Sequence, residues 1–164
     1  MNNIYLTGMM GSGKSAIGKC LAMHTGGEFV DTDTLIEQRE GKTINEIFAE
    51  SGEGGFRKIE TDVLAQVSKR NGLIVSCGGG VILSDTNIVL MKDTGSIVYI
   101  ERAIEEIIKD VKTETRPLLQ KDGTNIRKIF KKRKARYENS YDVKVKNTGS
   151  IENAAVFIKN RLNL

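Results

Sequence analysis

The sequence predicts a three-layer α/β/α fold in which helices cover both faces of a central parallel sheet of about five strands. Three observations carry this. Short apolar, β-prone runs alternate with stretches of helical spacing along the whole 164 residues. The run Leu73-Ile74-Val75-Ser76 lacks polar alternation, as a strand buried on both faces does. A glycine-rich stretch, Gly8 to Ser15, sits between the first β-prone run and the first helical stretch, so strand, loop and helix follow one another.

The elements follow in order. Ile4-Tyr5-Leu6 is the first strand, and Lys14 to His24 is a helix with Ile17 and Leu21 on one face. Glu28-Phe29-Val30-Asp31 is a short strand, after which a lone Asp33 would read as the cap of a helix entering Thr34-Leu35-Ile36, although paired with Asp31 beside a nucleotide loop it reads as functional. Thr43-Ile44-Asn45-Glu46 is a capping box that opens a helix through Ile47 and Phe48. Phe56 to Ser68 carries Ile59, Val63, Leu64 and Val67 at helical spacing. The buried strand Leu73–Ser76 is bounded by Asn71-Gly72 and Gly78-Gly79-Gly80, and Ser96 to Ile100 repeats its style. Ala103 to Val111 and Asn125 to Tyr137 read as helices, Tyr141 to Val145 as the last strand, and Ser150 to Leu162 as the closing helix. Lys112 to Gly123 lacks periodicity and holds the only proline, so it is expected to be a loop long enough to act as a lid.

Composition sets the bounds. The length suits one domain, 1–164, with a core large enough to need no staples. Cys20 and Cys77 form no C-x-x-C pair and no apolar signal segment opens the chain, so a reducing cytoplasm is the expected home. No apolar run approaches the ~18 residues of a membrane span. The single histidine, His24, together with separated cysteines, offers no zinc motif and reads as a surface or capping residue at its helix end. The net charge of +4 is concentrated in Arg127, Lys128, Lys131, Lys132, Arg133, Lys134 and Arg136. Tyr137 and Tyr141 are too sparse a set of stacking platforms to argue for nucleic acid, and this run is expected to surround the mouth of a nucleotide site instead.

Gly8-Met9-Met10-Gly11-Ser12-Gly13-Lys14-Ser15 fits G-x-x-x-x-G-K-[ST] in full. In such a loop successive amides point at phosphate oxygens, the lysine reaches the outer phosphates and the serine ligates Mg²⁺. Gly11, Ser12, Gly13, Lys14, Ser15 and Ala16 are therefore the expected ATP contacts, with Lys14 in an exposed loop. Neither N-K-x-D nor D-x-x-G occurs, which disfavours a GTPase switch. The apolar strand that would end in a Walker B aspartate ends instead in Ser76-Cys77-Gly78, so the acid for Mg²⁺ is sought in Asp31 and Asp33.

Five further segments follow the phosphate loop: Asp31-Thr32-Asp33, Gly52-Glu53-Gly54-Gly55-Phe56-Arg57, Gly78-Gly79-Gly80, Arg116-Pro117-Leu118-Leu119 and Arg133-Lys134-Ala135-Arg136-Tyr137. In this combination and order, over nearly the whole chain, the sequence resembles the shikimate kinase family. The resemblance implies a P-loop kinase fold similar to nucleoside monophosphate kinases, with a substrate region near 33–61 and a lid near 112–123. It also implies ATP-dependent phosphorylation of the 3-hydroxyl of shikimate in aromatic amino-acid biosynthesis, by a monomer using Mg²⁺. Asp33, Arg57, Gly78, Gly79, Gly80 and Arg133 would then hold shikimate, the guanidinium forks of Arg57 and Arg133 suiting its carboxylate. Asp33 would orient the attacking hydroxyl, Ser15 and, through water, Asp31 would hold Mg²⁺, and Lys14 and Arg116 would neutralise the moving phosphoryl group. Departures from the family pattern are Cys77 where threonine is usual, Lys109 and Lys112 where many relatives carry an arginine, and Ala135-Arg136 in place of Pro-Leu. The last leaves Arg133 and Arg136 as rival carboxylate ligands, with spacing favouring Arg133. The adenine is expected near Lys146 to Ser150. Two other readings stay open: a gluconate or nucleotide kinase of the same fold, and a catalytically silent nucleotide-binding module.

Overall fold

The computed structural model describes residues 2–113 and 124–164. Arg116-Pro117-Leu118-Leu119 and most of the expected lid lie outside them. Among the described residues, β1 (Asn3–Thr7), β2 (Glu28–Asp31), β3 (Leu73–Ser76), β4 (Gly95–Glu101) and β5 (Val143–Lys146) form one sheet in the order β2-β3-β1-β4-β5. Every neighbouring pair is parallel. The helices are α1 (Lys14–Thr25), α2 (Thr32–Glu40), α3 (Ile44–Val67), α4 (Asp85–Thr94), α5 (Ile104–Thr113), α6 (Thr124–Ser140) and α7 (Ile151–Arg161), with a short 3-10 turn at Val81–Leu83.

The strands are apolar on both sides because both sides are covered. Ile4 and Leu6 of β1, Ile74 of β3, and Val98 and Ile100 of β4 share a buried cluster with Ile17 and Leu21 of α1 and Ala155 and Ile158 of α7. The alternate residues Tyr5, Val75, Ile97 and Tyr99 point the other way, into a second cluster with Phe56 and Leu64 of α3, Met91 of α4 and Tyr137 of α6. Period-2 side-chain alternation thus feeds two helical layers from one set of strands. Each fully buried aliphatic side chain here contributes on the order of 1.5–3 kcal/mol.

Local signals place the helix ends. α1 stops at Gly26 and α2 at Gly41, both at positive φ (70° and 64°), with their amides returned to Ala22 and Glu37 carbonyls. The Thr43–Glu46 capping box forms as expected. The helical stretches expected after Thr43 and from Phe56 join as α3, broken at Gly52 (φ 66°, ψ −174°). Two features differ from the sequence reading. Asp31, not Asp33, caps α2, accepting from the amides of Asp33 and Thr34. α4, which the sequence reading lacked, supplies the crossover that a parallel β3–β4 connection needs, and Ser84 caps it by accepting from the Asn87 amide.

The carboxyl ends of all five strands lie along one edge of the sheet. The phosphate loop follows β1, the aspartates β2, the triple glycine β3, Arg102 β4 and Asn147 β5, which is where open α/β sheets place their ligands. Among the described residues no helix is long and apolar enough to cross a membrane.

Candidate active site

The phosphate loop is held from three sides. Asn147 Nδ2 donates to the Ser12 carbonyl at 2.9 Å, and Arg102 Nη1 donates to the Gly11 carbonyl at 2.9 Å. Gly13 sits at φ 97°, and a Cβ there would stand 2.5 Å from Asn147 Nδ2, so only glycine fits both the backbone and the neighbour. Gly11, Ser15 and Ala16 are exposed at the head of α1, whose free amides favour anions. Lys14 is not the exposed lysine expected. It is 9 % exposed, and its Nζ donates to the Gly8 and Met9 carbonyls at 2.9 and 2.8 Å. Burial lowers its pKa to about 8, against an opposing pull from Asp33.

The adjacent strand brings a carboxylate to the phosphate loop. The β2–β3 register sets Asp31 beside Ser76. Ser15 Oγ lies 3.1 Å from Ser76 Oγ and donates to Asp31 Oδ2 at 3.0 Å. Two hydroxyls and a carboxylate at the mouth of a phosphate loop are the hard oxygen donors that Mg²⁺ selects.

On the other side of the triple glycine, charged side chains converge. A Cβ on Gly78 would stand 2.8 Å from Asp33 Oδ1 and 2.9 Å from Glu60 Oε1, and one on Gly79 would stand 3.2 Å from Arg133 Nη1. One on Gly80 would overlap the Arg57 guanidinium outright. Bare backbone therefore lets two cations and two carboxylates meet around one loop. Thr32 and Tyr137 anchor that loop, Thr32 Oγ1 accepting from the Gly78 amide at 3.0 Å and the Tyr137 hydroxyl donating to the Gly79 carbonyl. Burial pushes the Asp33 carboxyl above the usual carboxylate range, and Asp31 adds to the push while Lys14 resists it.

Arg57 is oriented by a residue that the sequence reading did not single out. Its Nη1 donates to Glu60 Oε2 at 2.7 Å, and Glu60 is 1 % exposed. Glu60 Oε1 and Arg57 Nε are both buried without a partner. Burial raises the Glu60 pKa while Arg57 opposes it. The Arg57–Glu60 spacing of i, i+3 on a helix was the available signal. Asn147 and Arg102 were also missed, because their partners in the loop are remote in sequence.

The two rival arginines of α6 diverge. Arg133 is the one beside Gly79, whereas Arg136 turns away to bond the Ile82 carbonyl at 2.9 Å and Asp85 at 2.6 Å. Elsewhere in the basic run, Arg127 pairs with Glu105. Lys109, on the approach to the expected lid, is paired with Glu106 at 2.7 Å. Cys77 is buried in the core, as a threonine-sized replacement would be. A cavity of about 630 Å³ beside the phosphate loop is lined by Arg102, Ile104, Phe130, Lys146, Asn147 and Gly149, and so includes part of the segment expected to face adenine. The expectation that His24 and the separated cysteines leave nothing to build a zinc site needs correction, since Cys20 and His24 both meet Glu152 of α7.

A family model described as shikimate kinase matches residues 10–162. A shikimate kinase of Persephonella marina is 40 % identical over 150 residues, covering 91 % of each chain. Among solved structures, shikimate kinase from Acinetobacter baumannii in complex with shikimate superposes with a TM-score of 0.90 at 34 % identity, over 99 % of this chain and 94 % of that one. A gluconokinase from Sinorhizobium meliloti reaches a TM-score of 0.64 at 15 % identity, covering 98 % of this chain and 93 % of its own, a likeness of fold alone. The first three likenesses extend to sequence along nearly the whole chain, and the chain belongs to the shikimate kinase family.

Proposed function

We propose that this protein transfers the γ-phosphoryl group of ATP to the 3-hydroxyl of shikimate. The observation that carries the proposal is the convergence of Arg57, Arg133 and Asp33 on Gly78–Gly80, one loop away from Lys14 and Ser15. A small carboxylate bearing hydroxyls needs cations at one end and an acceptor at the other, and this loop brings both together. Membership of the family supports the same substrate.

Phosphoryl transfer asks the protein mainly for positioning and charge neutralisation. The amides of Gly11 to Ala16 would cradle the phosphates, and Lys14 Nζ, with two of its three protons on loop carbonyls, would have the third left for a phosphate oxygen. Arg57, set by Glu60, and Arg133 would grip the carboxylate in bidentate fashion. Asp33 would align the 3-hydroxyl and take up its proton, a role suited to a carboxylate with raised proton affinity. Ser15 and, through water, Asp31 would hold Mg²⁺, which when bound supplies charge neutralisation on the phosphates. Arg116 is assigned to the γ-phosphoryl group on its sequence motif alone. The same reading takes the protein to act as a monomer in the cytoplasm, where its two free cysteines stay reduced.

A coupled ADP-release assay with shikimate, gluconate, nucleoside monophosphates or no acceptor tests the proposal. Turnover should appear with shikimate and stay at background otherwise. Equal turnover with gluconate, or ADP release unaffected by any acceptor, contradicts it.

A further inference from the structure

Cys20 and His24 lie one turn apart on α1, away from the phosphate loop, and Glu152 faces them from the first turn of α7. Cys20 Sγ donates to Glu152 Oε2 at 3.1 Å, and His24 Nε2 lies 2.7 Å from Glu152 Oε1. The ligand atoms of all three residues fall within 4.8 Å of one another. The structure assigns to these residues a site for a zinc-class divalent cation, which would staple the end of α1 to the start of α7.

The chemistry of the donors supports this. Thiolate, imidazole and carboxylate are the three side-chain ligand types of zinc, at about 2.3, 2.0 and 2.1 Å. Two ligands at i and i+4 project from the same helix face, and the third comes from a packed neighbour. Tetrahedral coordination needs donor separations of roughly 3.2–3.7 Å, so the two Glu152 contacts must open by less than about 1 Å, and any separation as wide as the 4.8 Å limit must close by roughly 1–1.6 Å. Glu152 and His24 lie at the surface and have room to do so, while buried Cys20 anchors the site. On binding, the thiol proton leaves to solvent and the imidazole coordinates as the neutral base. Thiolate and carboxylate then balance the two positive charges, leaving no net charge to bury. Lys159, whose Nζ donates to the His24 carbonyl at 3.0 Å, is a cation close enough to oppose the ion. His24 beside Glu152 would also arise as ordinary pairing of a helix C-terminus with a helix N-terminus. The sulfur, which that pairing does not need, sets the two accounts apart.

The test is a titration of the chelator-stripped full chain with Co²⁺, in excess Mg²⁺ to saturate oxygen-only sites. We expect a thiolate-to-cobalt charge-transfer band and tetrahedral d–d bands that saturate at one equivalent and are bleached by Zn²⁺. Cys20→Ser should abolish the charge-transfer band and Cys77→Ser should keep it. Glu152→Gln and His24→Gln should weaken Co²⁺ binding by at least about tenfold. With free Zn²⁺ at about 100 times Kd, the melting temperature of the unmodified chain should rise by roughly 5–10 °C. Glu152→Gln should lose most of that rise, and this measurement stands even if Cys20→Ser does not fold. Absence of the thiolate band, its persistence in Cys20→Ser, or equal stabilisation of the unmodified chain and Glu152→Gln overturns the assignment.

Discussion

Raising the pH through 8 should disarm the phosphate loop by discharging Lys14. Burial lowers this lysine from 10.5 to about 8, which at about 1.4 kcal/mol per unit is a penalty of about 3 kcal/mol against its charged form. The profile of kcat/KM for ATP reports groups of the free enzyme. It should therefore show a basic limb near pH 8 and fall about tenfold by pH 9. Lys14→Arg should move that limb beyond the accessible range, because a guanidinium keeps its proton. Lys14→Met should lose about 10²-fold or more in turnover and show no such limb. The stability consequence has a definite sign. With the folded pKa below the unfolded one, the unfolded chain binds more protons between pH 8 and 10.5, so stability rises with pH in that window. Relative to Lys14→Met, the unmodified chain should gain up to about 3 kcal/mol in denaturant unfolding between those limits. The substitution also strips the donor from the Gly8 and Met9 carbonyls, at about 1–3 kcal/mol each where they stay dry. A limb that persists unchanged in Lys14→Arg, or a stability difference that stays flat with pH, would refute the reasoning.

The remaining predictions separate neighbouring residues by role. Asp33→Asn removes the proton acceptor and should cost about 10²–10⁴-fold in turnover with ATP affinity nearly unchanged by calorimetry. Since the Asp33 pKa is raised, turnover of the unmodified enzyme should fall with acid from above the usual carboxylate range, a limb absent in Asp33→Asn. Asp31→Asn should instead raise the Mg²⁺ concentration for half-maximal rate and leave thermal unfolding nearly unchanged, because an asparagine oxygen can still accept from the Asp33 and Thr34 amides at the α2 cap. An equal Mg²⁺ defect in both variants would void this division of labour. Gly80→Ala puts a Cβ where the Arg57 guanidinium stands, so the guanidinium must move, which should raise the shikimate KM at least about tenfold while the KM for ATP stays put.

What the sequence made legible was what is local along the chain. The phosphate loop, the Thr43 capping box and the apolar runs of β1, β3 and β4 each specify their own conformation within a few residues, and all three appear as expected. The β3–β4 crossover helix went unread because only Asn87 and Met91 of its ten residues are buried, which leaves little apolar period to detect. Site residues whose partners lie far away in the chain were equally hidden. Asn147 reaches Ser12 across 135 positions, and Cys20 meets Glu152 across 132. Asp31 was legible as a candidate acid, but its meeting with Ser76 and Ser15 comes from the β2–β3 register, which no spacing along the chain encodes. Lys14 was misjudged for a related reason: glycine-rich loops read as exposed, and its burial comes from neighbours that the loop itself does not specify.

The measurement that tests the central claim most directly is a cycle between Arg57 and the carboxylate of the acceptor. Shikimate and an analogue with a neutral amide in place of its carboxylate are each titrated into the unmodified chain and into Arg57→Ala, with ATP affinity as the control. Truncating one partner of a close, desolvated charge pair costs about 2–5 kcal/mol, much of it for the charge left unpaired. Arg57→Ala should weaken shikimate by that amount, weaken the amide much less and leave ATP unchanged, with Arg57→Lys recovering only part of the loss. A large coupling energy places the carboxylate on Arg57. Losses that simply add would show that Arg57 does not touch it, and would contradict the account.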